Sequence, residues 1–181
     1  MDVIQSLRNF SEKLYREILK RNEGYLENTF LSPFNIYTAL GMIFCGSANN
    51  TNAELIKAML LPDCLEQEII HSAIGELLAD LSKPDESVEI IIENRFYVNE
   101  DVQIEKRFRN IIKQHYNALT EHIDEEGVVA AAATLCIFAG CALNSSKPVV
   151  EFRVDHSFFV SIIWNNTLPI FLGHVTTPVN D

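Results

Sequence analysis

The chain has 181 residues, a net charge of −11 at neutral pH, 48% hydrophobic residues and 22% charged residues. That composition fits one folded domain with a real core. The acidic balance excludes nucleic acid and an anionic membrane as main partners, because phosphates and lipid headgroups repel such a surface. The acids are scattered, so they read as a solvated face.

The opening stretch MDVIQSLRNFSEKLYREILKR is charged throughout and lacks the apolar run of a secretory leader. No window holds the roughly 18 apolar residues a membrane span needs. A cytoplasmic protein is the expectation. Cys45, Cys64, Cys136 and Cys141 form no CxxC and no histidine-paired spacing. Free thiols are expected, with no metal and no cofactor. The Asn-x-Ser/Thr triplets at Asn49, Asn144 and Asn165 read as chance matches.

Along the chain, Val3, Leu7, Phe10, Leu14, Ile18 and Leu19 recur at helical spacing, predicting a helix over residues 2–21. Ser32 and Pro33 then cap and open a second helix, apolar on nearly every side through Phe44 and so expected to be buried. Its Ala39 and Gly41 allow close packing, and Gly46 suits its stop. NNTNAELIKAML predicts a helix capped by Asn or Thr and ended before Pro62. LEQEIIHSAIGELLADLSK predicts an amphipathic helix.

The period changes at residues 88–98, VEIIIENRFYV, a β-branched and aromatic strand. QIEKRFRNIIKQHY returns to helix, and ALTEHID is a short strand. Next comes EEGVVAAAATLCIFAGCALN, an acid-led ribbon with four consecutive alanines. Small side chains let a backbone pass between other backbones. SSKP breaks the chain. VVEFRVD, HSFFVSIIW and LPIFLGHV are strand-like, with a hairpin turn at NNT. Trp164, Phe158, Phe159 and Phe171 read as core aromatics and His174 as a packed or edge histidine rather than a metal ligand. The element order gives an α+β architecture rather than alternating βαβ, in one domain spanning residues 1–181.

Two arrangements superficially suggest catalysis. Asp155-His156-Ser157 lists hydrolase residue types, but neighbours in a strand point to opposite faces and form no relay. Cys141 with His122 or His156 would be a thiol–imidazole pair, but no oxyanion motif accompanies it. The expectation is that the chain is not an enzyme and has no catalytic residues.

Several stretches resemble the serpin family. NTFLSPFNIYTALGMIFCGSANNTNAEL resembles the segment that opens the family's central helix, through Asn28, Phe30, Ser32, Pro33, Ala39, Leu40, Gly46 and Thr51. IIENRFYV resembles the strand with an Asn-Arg pair, here Asn94 and Arg95. FRVDHSFFVSI resembles the C-terminal signature, and FLGHVTTP resembles the closing strand through Phe171, Gly173, Val175 and Pro178. EEGVVAAAAT resembles the hinge of the bait loop: Glu125, Glu126, Gly127, Val128, Val129, Ala130, Ala131, Ala132, Ala133 and Thr134. Val129 departs from the acid often found there.

The resemblance implies a protease inhibitor. In that family a serine or cysteine protease cuts the bait and is held as an acyl-enzyme. The freed ribbon adds to the main sheet as a strand, an established instance of strand addition. Residues 125–148 then correspond to hinge and reactive-centre loop. Counting the usual loop length from Glu125 puts Cys141 before the cut. A register one residue shorter, as in poxviral cytoplasmic serpins, puts Gly140 there. Gly140, Cys141 and Ala142 are therefore the reactive-bond candidates. The resemblance suggests a poxvirus-like or intracellular type, in host cytoplasm if viral.

The resemblance also implies a truncated serpin-like fold: N-terminal helices, a reduced main sheet and C-terminal strands of the second sheet. A full member is about twice as long. Near Asp124 the chain passes directly from the first strand of the main sheet to the hinge. The helix across that sheet, most of the second sheet and the strands that part for the loop are skipped. Trapping is therefore in question. The alternatives are a non-inhibitory, serpin-derived binding or immune-modulating protein, and a decayed remnant. Unpaired strand edges further suggest self-association, with the ribbon 127–138 offered to a neighbouring copy. The competing outcome is a monomer whose ribbon folds back beside residues 118–123.

Overall fold

The computed structural model describes residues 2–21, 27–62, 64–83, 89–99, 101–123, 135–139 and 154–178. Their order is α1 (Val3–Arg21), β1 (Thr29–Leu31), α2 (Pro33–Gly46), α3 (Asn49–Ala58), α4 (Gln67–Leu81), β2 (Glu89–Asn99), α5 (Lys106–Tyr116), β3 (Ala118–Ile123), β4 (Leu135–Ala139), β5 (Phe158–Trp164) and β6 (Leu168–Val175). The five expected helices form. The α+β reading holds, although β2, α5 and β3 make one parallel βαβ crossover. The expected strand VVEFRVD falls largely outside the described residues.

The core lies among α1, α2, α4 and α5 and runs onto β6. Leu7, Phe34, Tyr37, Phe44, Met59, Ile70, Ile74, Ile112, Tyr116 and Leu168 are all almost fully buried there. Expected spacing and observed burial agree for α1, where Val3, Leu7 and Phe10 turn inward. In α2 the expectation of burial all round is corrected. Ile36 and Ile43 are 38% and 49% exposed, because the helix is covered by α1, α4, α5 and β6 on part of its circumference only. Gly41 does give close packing: a Cβ there would sit 2.7 Å from the Tyr116 hydroxyl of α5. The expected Asn or Thr cap of α3 is not used, since Ala48 takes the N-cap position and no side chain bonds to it.

Two three-stranded sheets flank the helices, ordered β3-β2-β4 and β1-β6-β5. Asn117 ends α5 in the left-handed conformation and returns its N–H to Ile112, turning the chain into β3. Asn165 and Asn166, both with positive φ, close the β5–β6 hairpin, and the Thr167 N–H reaches the Trp164 carbonyl at 3.1 Å. Asparagine tolerates this backbone, which matches the twist of the flanking strands. β1 was not expected. It is three residues long and reads as the lead-in to α2, yet it pairs antiparallel with residues 172–174 of β6.

The core role expected of the C-terminal aromatics is corrected. Phe159 is 56% exposed, Phe158 37%, and Phe171 is half-buried against Phe30, the two rings stacked 5.2 Å apart. Trp164 is also half-buried. The cause is position: β5 is the outer strand of its sheet.

Candidate functional site

The hinge residues Glu125 to Thr134 and the bond candidates Gly140, Cys141 and Ala142 lie outside the described residues. Between them lies β4, which pairs antiparallel with β2: Ile90 opposite Phe138, Ile91 opposite Ile137 and Ile92 opposite Cys136. The remaining half of β2, residues 94–99, pairs in parallel with β3. The ribbon that leads to the candidate bonds is thus already a strand of the main sheet. Its described residues, 135–139, pair with β2, while residues 127–134 of the ribbon expected beside β3 lie outside the described residues. β2 is the middle strand of the order β3-β2-β4, so β3 and β4 are both its neighbours.

The resembling residues tie neighbouring elements together, and each has a physical task. Ser32 accepts the Asn35 N–H at 3.1 Å as the N-cap of α2 and donates its own hydroxyl to the Ile170 carbonyl of β6 at 2.7 Å. Asn28 Oδ1 accepts the Thr176 N–H at 2.8 Å, tying the approach to β1 to the end of β6. A Cβ at Gly173 would collide with the Thr29 carbonyl and with Phe30, so β1 can lie against β6 only where that position has no side chain. Asn94, 3% exposed, donates from Nδ2 to the Tyr116 carbonyl at 2.7 Å and so fixes β2 to the last turn of α5.

Sequence reasoning missed two polar pairs, one buried and one partly buried. His71 Nδ1 and the Tyr116 hydroxyl lie 2.6 Å apart between α4 and α5. Burial, followed by the charges of His115 and Arg107, lowers the His71 pKa to about 4. Burial raises that of Tyr116 well above the phenol range. His174 Nδ1 meets the Tyr15 hydroxyl at 2.9 Å, a packed histidine as expected. Each partner comes from a distant part of the chain, so no local motif announces either pair.

Chemistry of the catalytic kind finds little support among the described residues. Asp155 and His156 do pair, on the exposed approach to β5 and not within a strand. Ser157 donates to the Thr176 carbonyl at 2.8 Å, so its hydroxyl is committed to the backbone. The alternation argument does not apply to these three residues, because β5 begins only at Phe158. Cys141 and the side chain of His122 fall outside the described residues. A cavity of about 440 Å³ is lined by Cys45, Gln67, Glu105 and Arg107. Burial pushes the Cys45 thiol up, with Arg107 opposing, which is the reverse of nucleophile activation. Among the described residues no group of three or more His, Cys, Asp or Glu could hold a metal, and no helix is long and apolar enough to cross a membrane.

Comparison with known proteins gives these arrangements a family. The model of the family described as Serpin (serine protease inhibitor) matches residues 5–124. The chain is 29% identical over 118 residues to alpha-1-antitrypsin 1-4 of Mus musculus, covering 65% of this chain and 28% of that one. It is 30% identical over 115 residues to alpha-1-antitrypsin of Meriones unguiculatus, covering 62% and 28%. Among solved structures it is similar to human glycosylated kallistatin, with TM-score 0.61 and 20% identity over 67% of this chain and 32% of that one. A structure of cleaved Serpin 42Da gives TM-score 0.59 at 23% identity, covering 67% and 31%. The chain spans a little over a quarter of the length of the relatives it matches. The family match over about two thirds of the chain, residues 5–124, shows that it belongs to the serpin family.

Proposed function

We propose that this serpin-family chain meets a serine or cysteine protease as a cleavable, non-trapping ligand, presenting Gly140, Cys141 and Ala142. A protease partner is suggested by the inhibitor family and by relatives named antitrypsin. The observation that carries the non-trapping part is the ladder between β4 and β2. Trapping draws its free energy from backbone groups that are solvated before cleavage and paired afterwards. Here residues 135–139 have their partners before any cut, so cleavage releases little. The hinge residues 125–134 are proposed to link β3 to this strand. The free thiols of Cys45 and Cys64 favour a reducing compartment such as the cytoplasm, for an intracellular or viral member alike.

The test is incubation with a panel of serine and cysteine proteases, read on a denaturing gel. The expected result is cleavage within residues 135–143 without an SDS-stable adduct. An adduct that disappears when Gly140 and Cys141 are substituted would overturn the reading. A second reading, a non-inhibitory binding or immune-modulating protein, is favoured by the uncovered apolar strand β5. It predicts that no protease in the panel cuts the ribbon or is slowed by the chain. A decayed remnant would share that silence but show no cooperative unfolding.

A further inference from the structure

β5 is built as an inner strand and placed at an edge. Edge strands are ordinarily protected by charge, proline or shortness. β5 reads Phe-Phe-Val-Ser-Ile-Ile-Trp and has none of these devices. Among the described residues it pairs only with β6. Both its faces are apolar and open: Phe159 and Ile163 are 56% and 53% exposed on the side of α1, and Phe158 and Ile162 are 37% and 39% exposed on the other. Two apolar faces mark a strand with neighbours on both sides. α1 covers β6 and touches β5 at its Tyr15–Phe159 ring contact, leaving a groove of about 400 Å³ between Arg8 and Glu12 on the wall and Phe159, Ser161 and Ile163 on the floor.

We propose that β5 pairs with β5 of a second copy, antiparallel about a two-fold axis through Ser161. Ser161 is the middle residue of the strand, so this register overlaps all seven positions. Phe159 then lies opposite Ile163 of the copy, Val160 opposite Ile162 and Phe158 opposite Trp164. Every exposed apolar residue of one strand meets an apolar residue of the other, and the contact is self-complementary, as a two-fold requires. The net charge of −11 does not act at this seam. β1, β5 and β6 contain no Asp, Glu, Lys or Arg, and the groove wall carries one charge of each sign. The fused sheet ends on both sides in β1, only three residues long, which stops growth at a dimer.

Light scattering on the full chain at physiological salt is the test. Wild type is expected at twice the 20.5 kDa chain mass. Phe159→Lys and Ile163→Lys, at positions the monomer leaves exposed, are expected at one chain mass with unchanged circular dichroism. Directly opposed antiparallel residues stand about 4.5–5.5 Å apart at Cα, within disulfide range. Ser161→Cys is therefore expected to give an oxidised dimer beyond any seen for wild type. A monomeric wild type, an assembly that survives both lysine variants, a polymer in place of a dimer, or a Ser161→Cys chain that does not cross-link would each overturn the proposal. So would saturable binding of a different protein to β5 of a monomeric chain.

Discussion

At the scale of single residues, the family signature consists of small polar groups, each bridging two elements. Asn94 is the clearest case. Removing its amide leaves the buried Tyr116 carbonyl without its donor, which costs about 1–3 kcal/mol. Asn94→Ala is expected to lose that much stability in urea unfolding, and an unchanged midpoint would contradict the role. Ser32→Ala removes both a helix cap and a tie to β6 and is expected to cost about 1–2 kcal/mol by the same measurement. These positions were legible in the sequence because caps and Asn-Arg or Ser-Pro pairs are local patterns. The His71–Tyr116 pair was not, because its two members are 45 residues apart. It nevertheless sets a pH dependence. The folded pKa of His71, about 4, lies below the ordinary value of 6.5. The unfolded chain therefore takes up the proton first, and stability present above pH 6.5 is lost as pH falls from 6.5 towards 4. The loss reaches on the order of 3 kcal/mol at about 1.4 kcal/mol per unit. His71→Leu is expected to flatten stability over that window, and an unaltered slope would assign the effect to other groups.

At the scale of elements, helices followed from periodicity and were read with their ends nearly right. Strands were read as strands, but their neighbours were not. Whether Phe159 is buried depends on what lies beside β5, and the alternation of a strand carries no record of that. β1 was missed for a related reason: its three residues pair with a strand more than 140 positions away. The pairing of β4 with β2 is the element on which function turns. Ile137→Pro cannot sit within a ladder. It is expected to speed amide exchange at residues 90–92 of β2 while leaving residues 94–99, held by β3, as protected as before. Equal protection of both halves in this variant would mean that β4 does not cover β2.

At the scale of the whole molecule, the chain matches its relatives over a little over a quarter of their length, through its five helices and through β2 and β3 of the main sheet. It fills the next place in that sheet with its own ribbon. The account's central claim is that this place is occupied before any protease arrives. The most direct measurement is the melting temperature before and after a single cut within residues 140–142. For a chain of this size each kcal/mol moves the midpoint by about 2–4 °C. With residues 135–139 already paired, the predicted rise is less than about 5 °C. A rise above about 20 °C, equivalent to roughly 5–10 kcal/mol, would show that the ribbon gains a new place in the sheet on cleavage and would contradict the account.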